Sequence, residues 1–198
     1  YKKTDNEYEL GGTYHQIGMV YEGQQKWAEA LQNYSLALEW YKKTDNEYEL
    51  GGTYHQIGMA YEGQKKWEEA LQNYSLALEW KKKTGNEYEL GSTYHQIGMV
   101  YEKQQKWSEA LQNYQQALEW GKKTGNEYEM GDTYYQIGRV YEQRRAWQEA
   151  LLNYEKAFEL NQQFNHPNLP LDHESLTRIQ KKIHDQQSSD PQPSTDEI

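Results

Sequence analysis

Apolar residues recur along this chain at helical spacing, in two alternating registers. In the first, Leu10, Tyr14, Ile17, Gly18 and Tyr21 fall at i, i+4, i+7, i+8 and i+11, which is one face of an α-helix. After Gly23-Gln24-Gln25-Lys26, the residues Trp27, Ala30, Leu31, Tyr34, Ala37, Leu38 and Tyr41 resume that periodicity over a second segment. Each segment predicts a helix of about 15 to 17 residues. The link is so short that the two must run antiparallel. Thr4 and Asp5 stand ahead of the first helix, where side-chain oxygens can accept from its free N–H groups. Glu7 and Glu9 suit the positive end of its dipole, and Lys42 and Lys43 the negative end of the second helix.

The pattern then repeats with a period of 40. Residues 5–44 and 45–84 differ only at Val20/Ala60, Gln25/Lys65, Ala28/Glu68 and Tyr41/Lys81, so 36 of 40 positions are identical. Residues 85–124 keep 33 of the 40 and residues 125–164 keep 21, so the last copy has diverged most, as the ends of stacked arrays do. Gly18 and Ala30 let the helices approach, with the rings of Tyr14, Tyr21 and Tyr34 beside them. One hairpin cannot bury both of its faces, so neighbouring copies must stack. Tyr1–Thr4 matches Tyr41–Thr44, and the chain opens without Met in mid-motif. Residues 1–4 are therefore expected to end a preceding repeat of something longer. Residues 165–187 are expected to form a linker and a capping helix: Pro167 and Pro170 break the pattern, Asp172 can cap, and Leu176, Ile179 and Ile183 make a narrow apolar stripe over the last repeat. Residues 188–198 have no periodicity and are expected to be disordered.

Composition sharpens this picture. An apolar fraction of 35% and a mean hydropathy of -1.23 would ordinarily suggest disorder. Yet the chain holds 19 Tyr and 7 Trp, which bury much area per residue, so a thin aromatic-rich core is expected. The net charge of -10 argues against nucleic acid or an anionic membrane as partner, since both are held by clustered Lys and Arg. There is no Cys, hence no disulfide, thiolate nucleophile or Cys-ligated zinc. No apolar run approaches the roughly 20 residues that span a bilayer, and the N-terminus lacks a signal-peptide apolar stretch, so a soluble cytoplasmic protein is the expectation.

Candidate chemistry is sparse. His15, His55 and His95 share one position in three copies, but equivalent residues on stacked helices lie about 8–10 Å apart or more. A shared zinc needs each nitrogen near about 2.0–2.1 Å, so no metal is expected. Glu7/Glu9 and Glu68/Glu69 lie on polar helix faces with nothing apolar beside them to make an acid or base. There is no nucleophile elbow, and Gly11-Gly12 lies inside a helical pattern without the Lys-Ser/Thr of a phosphate loop. Neither catalysis nor a cofactor is expected. Trp27, Trp67, Trp107 and Trp147 read as core packing, and Trp40, Trp80 and Trp120, with Leu160 in the last copy, as packing between repeats.

Counted from Tyr14, the chain has Ile at +3, Gly at +4, Tyr at +7, Ala at +16, Tyr34 at +20 and Ala at +23. The set recurs as Tyr54, Ile57, Gly58, Tyr61, Ala70, Tyr74 and Ala77, and twice more in register. This resembles the tetratricopeptide repeat signature over residues 5–164. The usual Pro at +28 is Lys42, and the period exceeds the common one of about 34, which implies helices longer by about one turn. The longer period and Gly11-x-Thr13-Tyr14-x-x-Ile17-Gly18 are similar to the repeats of Pins-like G-protein-signalling modulators and kinesin light chains. The fold so implied is all-α, an α-solenoid of four antiparallel helix-turn-helix hairpins plus a C-terminal capping helix.

The resemblance also implies that the first helix of each hairpin lines a concave groove. Groove positions are then Gly12, His15, Gln16, Met19, Glu22 and Gly23 in copy one, His55, Gln56, Met59 and Glu62 in copy two, and His95, Gln96, Met99 and Glu102 in copy three. Copy four has Asp132, Tyr135, Gln136, Arg139 and Gln143 there. Neutral hydrogen-bonding groups alternate with adaptable Met, which suits varied side chains. Arg139, with Arg144 and Arg145, adds a basic patch able to hold an acidic peptide segment. Members that grip chaperone C-terminal carboxylates use Lys and Asn where His, Met and Gln stand here, so a co-chaperone role is not expected. The implied function is a non-catalytic scaffold for a protein or peptide segment. A structural spacer or array assembling end to end, and a sensor or regulatory arm of a larger signalling enzyme, are the alternatives.

Overall fold

Among the described residues, the alternating helical registers become nine α-helices and no strand in the computed structural model. It describes the backbone of residues 2–189 and the side chains of residues 9–188. Two compact units divide the chain. The first, Tyr1–Thr124, holds α1 (Lys2–Gly23), α2 (Trp27–Lys43), α3 (Glu47–Gly63), α4 (Trp67–Lys83), α5 (Tyr88–Lys103) and α6 (Trp107–Thr124). The second, Gly125–Ile198, holds α7 (Glu127–Gln143), α8 (Trp147–Gln163) and α9 (Leu169–Ser189). The periodic segments thus fold as the antiparallel hairpins α1/α2, α3/α4, α5/α6 and α7/α8. Within the first unit α2 packs on α3 and α4 on α5, and the leading helices touch in the order α1, α3, α5. Within the second, α9 packs on α8.

Each hairpin is held at its centre by a tyrosine seated on a glycine. Tyr34, Tyr74, Tyr114 and Tyr154 are fully buried. A Cβ added at Gly58, Gly98 or Gly138 would come within 2.6, 2.6 and 2.7 Å of the partner ring, so glycine is what allows the ring to lie flat on the opposing helix. Small residues at Ala30, Ala37, Ala70 and Ala77 complete the close approach. Between hairpins, Ile57 joins Ala30, Tyr34, Ala37 and Leu38 in one cluster, and Ile97 and Val100 join Ala70 and Tyr74 in the next. On α1 the equivalent Ile17 and Val20 are 38% and 60% exposed, against 6% for Ile57.

Helix ends depart from the expectation. Helix α1 begins at Lys2, so Thr4 and Asp5 lie inside it and do not precede it. In later copies the threonine closes the preceding helix: Thr44, Thr84 and Thr124 donate their hydroxyls to the carbonyls of Trp40, Trp80 and Trp120 at 2.9 Å each. The next residue then takes the left-handed conformation, at Asp45 (φ 53°), Gly85 (φ 70°) and Gly125 (φ 70°). Among the N-caps, Asn126 accepts from the N–H of Glu129. Asp172 does not cap α9 either. The helix starts at Leu169, with Pro170 in the first turn where its missing N–H is harmless, which places Asp172 inside as a buried acceptor for Asn161 Nδ2 at 2.7 Å. Leu176 and Ile183 flank the fully buried Ile179 against α8. The expected disorder of residues 188–198 is corrected at its start, since α9 runs to Ser189, and residues 190–198 lie outside the described residues.

Candidate functional site

The face formed by α1, α3 and α5 carries the sequence-predicted groove residues of the first unit. Gly12, Gly23 and Gly52 lie open on it, with nothing near an added Cβ. Gln16 and Met19 are exposed, whereas Gln56, Met59, Gln96 and Met99 are half-buried. The buried amide oxygen of Gln56 has no hydrogen-bond partner among the described residues.

The histidines tie one leading helix to the next. His15 Nδ1 lies 3.0 Å from Thr53 Oγ1, and His55 Nδ1 lies 3.0 Å from Thr93 Oγ1. Each threonine already gives its proton to a backbone carbonyl, Thr53 to Glu49 at 2.9 Å and Thr93 to Glu89 at 3.0 Å. The imidazole must therefore donate from Nδ1, which leaves Nε2 as the acceptor of the neutral ring. Burial holds His15 below its ordinary pKa, and burial with the nearby Lys81 ammonium takes His55 down to about 3. The rings of His15, His55 and His95 also lean on Tyr34, Tyr74 and Tyr114 at centroid distances of 5.5, 5.4 and 5.5 Å.

The groove glutamates are bound to tyrosines of the second helix. Tyr34 donates to Glu22, Tyr74 to Glu62 Oε2 at 2.9 Å, and Tyr114 to Glu102 Oε2 at 2.8 Å. Burial raises the pKa of Glu22 and Glu62 although the phenol hydrogen bond opposes it. The reading of the sequence placed the glutamates on the groove and the tyrosines in the core but missed the link between them.

A cavity of about 610 Å³ opens on this face, lined by Glu22, Trp27, Met59, Glu62, Trp67 and Gln96 together with Lys65 and Lys103. Trp27 and Trp67 were expected in the core. Both are half-buried: Trp67 packs against the core cluster of Ala70, Tyr74, Ile97 and Val100, and Trp27 lies across Gly63 of the next hairpin, where an added Cβ would meet the ring at 2.6 Å.

In the second unit α9 and its lead-in engage Asp132 and Glu142. Asp132 Oδ1 accepts from Asn168 Nδ2 at 2.7 Å, and its Oδ2 faces His166 Nε2 at 3.8 Å. Tyr135 leans on Tyr154 as the histidines lean on theirs, at 5.4 Å. Arg139 Nη1 donates to Gln136 Oε1 at 2.8 Å, and Gln143 is exposed. Tyr154 donates to Glu142 Oε2 at 2.7 Å. Arg178 grips the same carboxylate in two places, Nε to Oε1 at 2.8 Å and Nη2 to Oε2 at 3.0 Å. Burial pushes Glu142 upward, but the bonds from Arg178 and Tyr154 outweigh it and the carboxyl ends below its ordinary value. The sequence reading named neither Glu142 nor Arg178.

Among the described residues no helix is long and apolar enough to cross a membrane, and no group of three or more His, Asp or Glu side chains is arranged to hold a metal ion. A family model described as "Tetratricopeptide repeat" matches residues 9–88 and 89–163. Repeats of this kind typically mediate protein–protein interaction and are generally non-catalytic. No curated protein sequence matches the chain. Among solved structures, the apo form of RapI is similar with a TM-score of 0.80 and 16% identity, over 88% of this chain and 64% of that one. BtubC (BKLC) from P. vanneervenii has a TM-score of 0.71 at 17% identity, over 96% of this chain and 87% of that one. A Podosopora anserina putative kinesin light chain with nearly identical repeats has a TM-score of 0.71 at 17% identity, over 92% and 90%. At such identities the likeness is one of fold.

Proposed function

Since the chain belongs to the tetratricopeptide-repeat family, we propose that the α1, α3 and α5 face of the first unit receives an extended or helical segment of another protein, and that the chain is a scaffold without catalytic activity. The cavity walled by Trp27, Met59 and Trp67 carries this reading. It offers a partner side chain apolar and aromatic surface next to carboxylates, the mixture that gives interaction sites both area and direction. Near-identical copies would present equivalent subsites one helix apart. The test is selection of a random displayed peptide library on the full chain. Retained peptides are expected to lose binding to a Met19→Ala, Met59→Ala, Met99→Ala variant whose helical circular dichroism is unchanged. Peptides indifferent to that variant, or none retained, would sink the reading.

One observation favours a second reading, self-assembly. Ile17 and Val20 are exposed on α1, whereas Ile57, Ile97 and Val100, at the same places in later copies, are covered by the preceding hairpin. A second copy of the chain would cover that face in kind. Light scattering over a rising concentration series should then show growth of mass that Val20→Lys prevents, and a constant monomer mass would rule it out.

A further inference from the structure

Helix α9 meets α8 as the leading helix of a further repeat would. Its buried Ser175 and Ile179 stand four residues apart, as the buried Thr53 and Ile57 do on α3 and Thr93 and Ile97 on α5. Arg178 therefore holds the place of Gln56 and Gln96, each one residue before the isoleucine. From that place it takes Glu142 with both Nε and Nη2, while Tyr154 binds the same carboxylate. The chain thus displays what a glutamate backed by a buried tyrosine accepts: a guanidinium, whose planar fork matches both carboxylate oxygens.

The same acceptor recurs in the first unit without that arginine. Glu62 holds Tyr74 and shares its cavity with the amide of Gln96, and Glu22, which holds Tyr34, lines the cavity too. Gln is shorter than Arg and uncharged, and both Gln96 and Glu62 line the cavity. We propose that the Glu22–Tyr34 and Glu62–Tyr74 pairs bind arginine side chains of the docked segment, with Trp27 and Trp67 covering the arginine stem and face. This rests on the groove reading above and names the chemistry of its partner. Three further observations favour a basic partner. The two carboxylates are buried enough to sit above their ordinary pKa, a cost that a bound cation relieves as Arg178 does for Glu142. Indole faces attract guanidinium groups. The chain's net charge of -10 draws cationic segments toward it. Lys103 lies close enough to favour the Glu62 anion, which makes Glu22 the stronger of the two receptors.

The random-library selection decides the matter when run in parallel on the full chain and on its Glu22→Gln, Glu62→Gln variant. The amide oxygens still accept from Tyr34 and Tyr74, so the variant keeps its fold, as circular dichroism would verify. Peptides retained by the parent chain are expected to carry arginine at a fixed position. They should bind the variant about tenfold more weakly, the worth of a charge-assisted hydrogen bond. Synthetic copies with citrulline for arginine should lose as much on the parent chain. Peptides that need Met19, Met59 and Met99 but lack arginine, or that bind the glutamine variant equally well, overturn the arginine assignment and leave the groove standing. Failure to retain any methionine-dependent peptide brings down the groove and this inference together.

Discussion

His55 combines two constraints that set how the first unit responds to acid. Its Nδ1 proton is committed to Thr93, and burial beside Lys81 keeps the ring neutral down to about pH 3. An unfolded histidine titrates near about 6.5. Below that value the unfolded chain binds a proton that the folded one refuses, so the stability present above the unfolded pKa is lost as pH falls from about 6.5 toward the folded value. Glu22, Glu49 and Glu62 act in the opposite sense. Their raised pKa values give a contribution that is full below the unfolded value near about 4.5 and is lost as pH rises through the folded value. For His55 alone the melting temperature should fall by about 3 °C per pH unit below about 6.5. His55→Gln, which cannot titrate, should flatten that slope in thermal melts run across the range. The repeat of the histidine was legible in the sequence; its protonation was not, because the threonine that fixes it lies 38 residues away on another helix. The tyrosine seats allow a second prediction at this scale. Gly58→Ala would set a methyl 2.6 Å from the Tyr74 ring and should destabilise by about 1–3 kcal/mol in urea melts, as overpacking does.

At the scale of the element, hairpin closure is uniform although its chemistry is not. Lys26, Lys66, Lys106 and Ala146 donate backbone N–H to the carbonyls of Tyr21, Tyr61, Tyr101 and Tyr141 at 2.9, 2.9, 2.9 and 3.0 Å. Gln25, Lys65, Gln105 and Arg145 donate to Glu22, Glu62, Glu102 and Glu142 at 2.8, 2.8, 2.9 and 3.0 Å. This pair of bonds is the Schellman closure, which needs a left-handed residue at its penultimate position. Here that residue has φ 58°, 59°, 59° and 58° and is never glycine. Helix existence, length and pairing could therefore be read from periodicity, while the turn could not: Gln, Lys and Arg carry no signal for positive φ, and the Thr-Asp pair that looked like an N-cap closes the previous helix. A left-handed conformation costs a non-glycine residue about 1–2 kcal/mol, partly offset by the greater entropy glycine loses on folding. Lys65→Gly should accordingly stabilise by about 0.5–1 kcal/mol, and Lys65→Val should destabilise, both read from denaturant midpoints. A loss of stability in the glycine variant would mean that the lysine side chain contributes more than its backbone strain removes.

For the molecule as a whole, copies sharing 36 of 40 residues must still stack in one order. Periodicity made the hairpins and their sequence legible, and the border between the compact units falls at a copy boundary, after Thr124. What no pattern disclosed is that the Tyr41/Lys81 difference between the first two copies is buried at a seam in both. Tyr41 is 3% exposed and Lys81 2%, and in the second unit Asn161 holds the same place at 1%. Each fills its seam differently. The stem of Lys81 lies against Gly51, where a Cβ would meet its Cγ at 2.8 Å, and Nζ donates to Thr93 Oγ1 at 2.8 Å and pairs with Glu89 Oε2 at 3.1 Å. Desolvating an ammonium costs several kcal/mol, and the half-exposed Glu89 returns only part of it. A linear apolar residue of similar length should do as well or better, so Lys81→Met is expected to be neutral or to stabilise by about 1–2 kcal/mol at neutral pH. Thr93→Val should be the costly change, by about 2–3 kcal/mol, because it strips the buried ammonium and the His55 Nδ1–H of one shared acceptor. Urea midpoints of the two variants give the ordering directly. If Lys81→Met proved the more damaging, the ion pair would be a net source of stability at this seam and not merely what distinguishes it from its neighbours.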